Sequence, residues 1–510
     1  MLTARLTIDP HFAVGAVNRR LFGSFVEHLG RCVYDGIYEP SHPTSDAEGF
    51  RQDVIELVKE LGVSTIRYPG GNFVSGFRWE DSVGPVAERP RRLDLAWHST
   101  ETNEVGLHEF SGWLDKVGSE LMMAVNLGTR GTMDALDLLE YSNIAAGTTL
   151  SDRRVANGKT DAFGVRMWCL GNEMDGPWQL GHRSADDYGK IASRTAKAMR
   201  QVDPSIELVA CGSSSAHMPT FGEWERVVLT HTYEDVDFIS CHAYYEEKNG
   251  DLGSFLASAV DMDHFIDSVV ATADHVKAVL GSTKTINISF DEWNVWYIDR
   301  FENVDKITGL DNWPVAPRLL EDSYSVADAV VFGNLLISLL RHADRVTSAS
   351  LAQLVNVIAP IMTEPNGPAW RQTTFFPFAL TSRLAQGVAL EVKLESETYS
   401  TAVYGDVAVV DAVATHDEET GLTSVFLVNR DQTRAVSVEI DTTALGDVTV
   451  REAQTLSDAE VYAKNVLDDQ ERVGLRANDS VRVSRDVVSI TLPPVSWTAV
   501  SLAIGVDDLD

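Results

Sequence analysis

From about residue 16 to about residue 380, short β-rich apolar runs alternate with longer stretches of helical period, the pattern of βα units around a parallel sheet. Eight such runs stand out: Leu21–Val26, Val63–Tyr68, Leu121–Leu127, Val165–Leu170, Ile206–Cys211, Phe238–His242, Ile286–Phe290 and Val346–Leu351. Among the helical stretches, Asp53–Leu61 places Val54, Leu57, Val58 and Leu61 on one face; Ala185–Val202, Phe255–Leu280 and Ser325–Leu340 follow. Eight units predict a closed (β/α)8 TIM barrel of class α/β. The most apolar helix, Ser325–Leu340, is interrupted by Asp328 and Asn334 and is too short for a membrane span, so it reads as a packed helix.

Beyond about residue 383 the period shortens. Ala408–Ala414, Leu422–Asn429, Ala435–Ile440, Val448–Leu456 and Val487–Leu492 alternate like strands with turns between them, which predicts an all-β, jelly-roll-like sandwich. Residues 3–9 alternate in the same way and are expected to complete it. The expected division is a catalytic barrel over 16–382 and an accessory sandwich built from 1–15 plus 383–510.

Chemistry in such barrels sits where the strands end. The residues that follow the runs are polar: Glu27 and His28, Asn72, Asn126, Asn172 and Glu173, Ser213 to Ser215, Tyr244, Glu292 and Gln353. Three segments draw attention. In Trp168-Cys-Leu-Gly-Asn-Glu173-Met-Asp-Gly-Pro-Trp178 a buried strand delivers Glu173 among aromatic residues, a setting that suits a proton donor. A glutamate that caps a helix or pairs with an arginine is the plainer reading. In Phe290-Asp-Glu292-Trp-Asn-Val-Trp296 an apolar strand ends on a carboxylate beside two tryptophans, which suits a nucleophile under a sugar face. Asp291, alternating to the opposite face, is expected to serve a salt bridge. In Arg67-Tyr-Pro-Gly-Gly-Asn72 a glycine turn presents Arg67 and Asn72 inward; without a following Lys-Ser/Thr it is a sugar-binding loop rather than a phosphate loop. Two glutamates three strands apart match the carboxylate pair of glycoside hydrolysis.

Charge narrows the partners. With 42 Lys and Arg against 75 Asp and Glu, the net charge of -33 repels phosphate backbones and anionic membranes and leaves a neutral substrate indifferent. The four cysteines show no CxxC spacing and are expected as buried free thiols, and the histidines show no HxH or HExxH spacing, so neither a metal nor a cofactor is expected. Gly212-Ser-Ser-Ser lacks the serine-nucleophile elbow, and no lysine stands at a strand end for Schiff-base chemistry. The N-terminus lacks the basic and apolar regions of a secretory signal, which gives a cytoplasmic expectation.

Together, Phe25-Val-Glu-His-Leu-Gly30, Arg67-Tyr-Pro-Gly-Gly-Asn72, the Trp168 to His182 segment, Ser240-Cys-His-Ala-Tyr-Tyr245 and Phe290 to Trp296 strongly resemble glycoside hydrolase family 51 α-L-arabinofuranosidases. The resemblance implies a retaining, exo-acting enzyme with Glu173 as acid/base and Glu292 as nucleophile, about 5 Å apart. It further implies that Glu27, Asn72, Asn172, Tyr244 and Gln353 bind the furanose, with Asn172 at the 2-hydroxyl. Arg67 is expected beneath Glu292, with Tyr244 hydrogen-bonded to it and Trp97 and Trp178 as pocket walls. A homo-oligomer, often a hexamer, and an arabinose-containing oligosaccharide as substrate are expected on the same ground. The loops Glu246–Gly253 and Asp299–Glu321 are expected on the leaving-group side. A β-xylosidase or endoglucanase of the same barrel clan, or a degenerate carbohydrate-binding barrel, are the rival readings.

Overall fold

The computed structural model describes residues 2–505, so the outermost residues of the expected sandwich, 1 and 506–510, lie outside the described residues. Eight parallel strands close into a barrel: β1 (Gly23–Phe25), β2 (Thr65–Tyr68), β3 (Glu120–Ala124), β4 (Met167–Cys169), β5 (Glu207–Ala210), β6 (Phe238–Tyr245), β7 (Asn287–Val295) and β8 (Val346–Leu351). Pairing of β8 with β1, Ser350 opposite Gly23 and Leu351 opposite Ser24, completes the circle. Helices cover the outside and side chains fill the inside, so the strands are buried on both faces and read as continuous apolar runs rather than alternating ones.

All eight runs are strands, and the differences from expectation lie at their ends. Residues Arg19–Phe22 form a 3-10 turn, with the Asn18 side chain accepting the Arg20 N–H, which shortens β1. Strands β6 and β7 instead continue to Tyr245 and Val295, so Tyr244 and Glu292 stand within strands rather than after them. The helix expected over Phe255–Leu280 is two, Leu252–Leu256 and Ala259–Leu280. Elsewhere the caps explain the boundaries. Ser184 accepts the Asp187 N–H at the start of Ala185–Val202, and Gly62, at φ 77°, ends Gln52–Leu61 in a left-handed turn that glycine adopts without a Cβ clash.

The β-rich remainder forms two sheets packed over a shared apolar core that includes Leu6, Val410, Leu427, Ile440 and Ile490. In the five-stranded sheet Leu2–Thr7 lies between Lys393–Ser396 and Val436–Asp441. In the seven-stranded sheet Ser496–Ile504, a strand absent from the sequence reading, runs between Leu422–Asn429 and Val448–Leu456.

The helix Val326–Arg341 joins barrel to sandwich. It is buried on every face, which accounts for its unbroken apolarity, and its start is fixed by a reciprocal cap between Ser325 and Asp328. Gly333 lies flat against Trp497 of the sandwich, where a Cβ would come within 2.3 Å of the indole Cδ1. Alongside, Asp411 accepts from Arg430 at 2.8 Å and from Asn334 at 2.7 Å, and pairs with Arg341. No helix among the described residues is long and apolar enough to cross a membrane. All four cysteines are free and buried.

Candidate active site

The centre of the site is built on Arg67, which β2 points into the barrel. Its Nη1 donates to Glu292 Oε1 at 2.9 Å and its Nη2 to Asn172 Oδ1 at 2.7 Å. Its Nε lies 3.9 Å from Asp291 Oδ2, an ion-pair distance too long for a hydrogen bond. Burial opposes the guanidinium charge, but the surrounding Asp291 and Glu292 carboxylates outweigh it and hold the cation more firmly than usual.

Asp291 does not turn away from Glu292 as alternation predicts. Between Phe290 and Trp293 the register of β7 slips by one residue against Ala349 and Leu351 of β8, and this bulge brings two consecutive acids to the same arginine. Glu292 Oε2 accepts the Tyr244 hydroxyl at 2.6 Å. Burial and the adjacent Glu292 charge push the Tyr244 hydroxyl far up, so it remains a neutral donor.

Two residues before Tyr244 on the same face of β6 stands His242. Its Nδ1 is 2.9 Å from Glu173 Oε1 and 3.5 Å from Glu292 Oε2. Burial works against its charge, but Glu292 and Glu173 raise its pKa overall. Sequence spacing, which rules out HxH and HExxH pairs, does not single out His242. The signal available was its i, i+2 relation to Tyr244, which in a strand means a shared face.

Glu173 follows β4 with φ 43°, a left-handed conformation costly for a residue with a Cβ and held here by its partners. The Trp178 indole donates to Glu173 Oε2 at 2.6 Å. The loop is pinned to the end of β5 by Asp175, which accepts the Ser214 N–H and hydroxyl at 3.0 Å each; burial pushes the Asp175 carboxyl up to about 6. Chosen oxygens of Glu173 and Glu292 and a nitrogen of His242 all lie within 4.8 Å of one another. Although these are metal-ligand residue types, the Arg67 guanidinium and Tyr244 hydroxyl already donate to the two Glu292 oxygens and take up lone pairs that a metal ion would use.

A second cluster gathers round Glu27, just past β1. Its Oε1 accepts the Phe73 N–H and the Trp97 indole, each at 2.8 Å, and its Oε2 accepts Gln353 Nε2 at 3.0 Å. Burial pushes its carboxyl up to about 8, against those donors and with help from the Glu292 charge. Asn72 links the two clusters, accepting from Asn172 Nδ2 at 3.1 Å. The preceding Gly71 lets the backbone pass between them: a Cβ there would lie 3.0 Å from Glu27 Oε2 and 3.3 Å from Glu292 Oε1. Trp97 packs on Phe301 at 5.8 Å and Tyr244 on Trp296 at 5.0 Å, giving the site aromatic walls.

The structure thus brings together Glu27, Arg67, Asn72, Trp97, Asn172, Glu173, Trp178, Tyr244, Glu292 and Gln353. Other strand-end residues serve the scaffold. Asn126 folds its own loop by accepting the Gly128 and Thr129 N–H groups, Ser213 donates its N–H to buried Glu225, and His28 pairs with Glu101 at 2.9 Å. Of the two loops expected beside the leaving group, 246–253 is tethered to the sandwich, where Tyr462 donates to Glu247 and Tyr399 to the Gly253 carbonyl. The other, 299–321, packs Trp313 on His98 at 3.7 Å.

Comparison with known proteins agrees with this picture along the whole chain. Residues 57–251 match the alpha-L-arabinofuranosidase 1 domain and residues 291–496 the alpha-L-arabinofuranosidase C-terminal domain. An exo-α-(1→6)-L-arabinofuranosidase of Bifidobacterium longum is 61% identical over 98% of this chain and 97% of its own length. An intracellular exo-α-(1→5)-L-arabinofuranosidase of Streptomyces lividans is 60% identical over 99% of this chain and 76% of its own. Among solved structures, a family 51 α-L-arabinofuranosidase from Bifidobacterium longum superposes with TM-score 0.95 at 50% identity, covering 98% of this chain and 99% of that one. The Thermotoga maritima enzyme in its arabinose complex gives 0.86 at 31% identity, covering 98% and 99%. With relatives this similar over nearly its full length, the chain belongs to the glycoside hydrolase family 51 α-L-arabinofuranosidases.

Proposed function

We propose that the enzyme removes terminal α-L-arabinofuranosyl residues from arabinose-containing oligosaccharides by a retaining double displacement, with Glu173 as acid/base and Glu292 as nucleophile. The observation that carries this reading is the closeness of the two carboxylates. Oxygens within 4.8 Å fit the roughly 5–5.5 Å separation of retaining enzymes, whereas the roughly 6.5–9.5 Å of inverting ones leaves room for a water.

In the first step Glu173 protonates the glycosidic oxygen as Glu292 attacks the anomeric carbon, and the sugar becomes an ester of Glu292. Arg67 and Tyr244 aim Glu292 by donating to its two oxygens. In the second step Glu173, now a carboxylate, takes a proton from water, which attacks the same carbon and frees Glu292. His242, beside both acids, balances the charge as it passes between them. Asn172, held by Arg67 and Asn72, meets the 2-hydroxyl, while Glu27, Asn72 and Gln353 bind the rest of the ring and Trp97 and Trp178 flank it. An aromatic-walled site with buried carboxylates suits one terminal sugar, in keeping with the exo-acting names of the relatives. In this reading residues 16–382 form the catalytic unit and 1–15 plus 383–510 the accessory sandwich. An intracellular location is proposed from the names of several relatives, and a homo-oligomer, often hexameric, from the family resemblance.

The test is initial rates on p-nitrophenyl α-L-arabinofuranoside, with β-D-xylopyranoside and β-D-glucopyranoside as controls. Glu292→Ala is expected to lose turnover and Glu173→Ala to lose about 10²–10⁴-fold on substrates with poor leaving groups. Transfer to methanol should give the methyl α-L-arabinofuranoside by NMR; the β anomer would rule out retention, and a preference for a pyranoside would overturn the substrate.

A further inference from the structure

The left-handed backbone of Glu173 persists only where its surroundings hold it. The bonds from Trp178 and His242 act at the carboxylate and leave the backbone to be fixed by the turn that follows β4. That turn closes at once: the Gly176 N–H donates to the Glu173 carbonyl at 2.9 Å, and the Arg183 N–H returns to the Met174 carbonyl at 2.9 Å. Asp175 lies inside the turn with its side chain buried. Because its Oδ2 accepts both the N–H and the hydroxyl of Ser214, the middle of the turn is tied to a neighbouring strand end rather than to its own residues.

Ser214 is itself a fixed post, because the residues before it are bound on two sides. Gly212 lies so close to β6 that a Cβ there would collide with the Ser240 carbonyl, and its N–H donates to the Ser240 hydroxyl at 3.1 Å. The Ser213 N–H donates at 2.7 Å to Glu225 Oε1 in the helix Glu223–Thr232, and Glu225 Oε2 accepts the Gly222 N–H at 2.8 Å at the start of that helix. Strand β6 also carries His242, two residues beyond Ser240. The strand that meets the Glu173 carboxylate directly through His242 therefore also sets the Glu173 backbone, by way of Gly212, Ser214 and Asp175.

We infer that Asp175 and Ser214 are positioning residues for the acid/base: their bond holds the turn after β4 so that the Glu173 carboxyl is aimed at the glycosidic oxygen. The inference rests on the reading of Glu173 as acid/base and deepens it. A general acid must stand within hydrogen-bond reach of the atom it protonates, and a Glu173 free to leave the left-handed region swings its Cβ and carboxyl away from that point. What is lost is then proton transfer, with Glu292 and the furanose-binding cluster left in place. Phenyl and p-nitrophenyl α-L-arabinofuranoside differ in little but the basicity of the departing phenolate, so comparing them in the full-length enzyme isolates that loss. Asp175→Ala is expected to lower kcat/KM by about tenfold or more on the phenyl glycoside but by no more than about threefold on the p-nitrophenyl glycoside. Ser214→Ala, which removes the hydroxyl bond and keeps the N–H one, is expected to lower the ratio of phenyl to p-nitrophenyl kcat/KM by about threefold, and it carries the test alone if Asp175→Ala does not fold. Equal losses on the two glycosides, or none, would overturn the positioning role. Glu173→Ala is measured beside them: a phenyl-selective loss there keeps the acid/base reading whatever Asp175 and Ser214 do, and its absence would overturn that reading and this inference together.

Discussion

Glu292 receives two donors from opposite parts of the barrel, Arg67 from β2 and Tyr244 from β6. A carboxylate held this way loses rotational freedom, so the oxygen that attacks in the proposed mechanism is placed before substrate arrives. Tyr244→Phe keeps the ring and its packing on Trp296 but removes a hydrogen bond to a charged group, worth about 1.5–3 kcal/mol. The expected outcome is a drop of about 10–100-fold in kcat/KM on the aryl arabinofuranoside, with a melting temperature close to wild type. A loss below about threefold would mean that Arg67 alone positions Glu292. The residues on the strand-end motifs were legible because short polar segments after apolar runs mark where a barrel exposes its chemistry. His242 was not, since a histidine inside an apolar strand looks the same whether it faces the core or an active site.

At the scale of the elements, two local departures from regularity shape the site. The bulge in β7 turns Asp291 and Glu292 to one arginine, and the turn after β2 carries the backbone between Glu27 and Glu292 at Gly71. A methyl group at Gly71 would press on both carboxylates, at 3.0 and 3.3 Å, and they cannot retreat without breaking bonds to Gln353, Trp97 or Arg67. Gly71→Ala is therefore expected to cost about tenfold or more in kcat/KM, while circular dichroism shows an intact fold. Full activity in that variant would show that the two clusters move independently. The bulge was invisible to periodicity, because strict alternation assigns Asp291 and Glu292 to opposite faces and only the pairing with β8 reveals the extra residue.

Across the whole molecule, barrel and sandwich meet on a buried ionic network. Burial alone would raise the Asp411 carboxyl, but Arg341 and Arg430 outweigh it and hold it at about 2, below its ordinary 3.8. Because the folded value is depressed, the stabilisation is complete above the unfolded value and is lost as pH falls through about 2. The shift corresponds to about 2 kcal/mol. In denaturant titrations the stability gap between wild type and Asp411→Asn should therefore be constant from about pH 7 to about pH 5 and narrow below about pH 4. A gap independent of pH would mean that the aspartate acts through packing alone. Asp411→Ala, which removes the carboxylate partner of the buried Arg430 while Arg341 keeps Asp263, is expected to cost about 3–5 kcal/mol.

The sequence by itself determined the eight strands, the helices between them and the β-rich remainder, since burial on a parallel sheet, on a helix face or in a sandwich each imposes its own period on neighbouring residues. It also placed Glu173 and Glu292 near the ends of β4 and β7. Tertiary structure decided the rest. Barrel closure sets the distance between those two acids, the ladder with β8 sets the bulge beside Glu292, and His242 acquires its partners only when β4, β6 and β7 lie side by side. These are relations between residues far apart along the chain, and a local pattern of hydrophobic and polar positions carries no information about them.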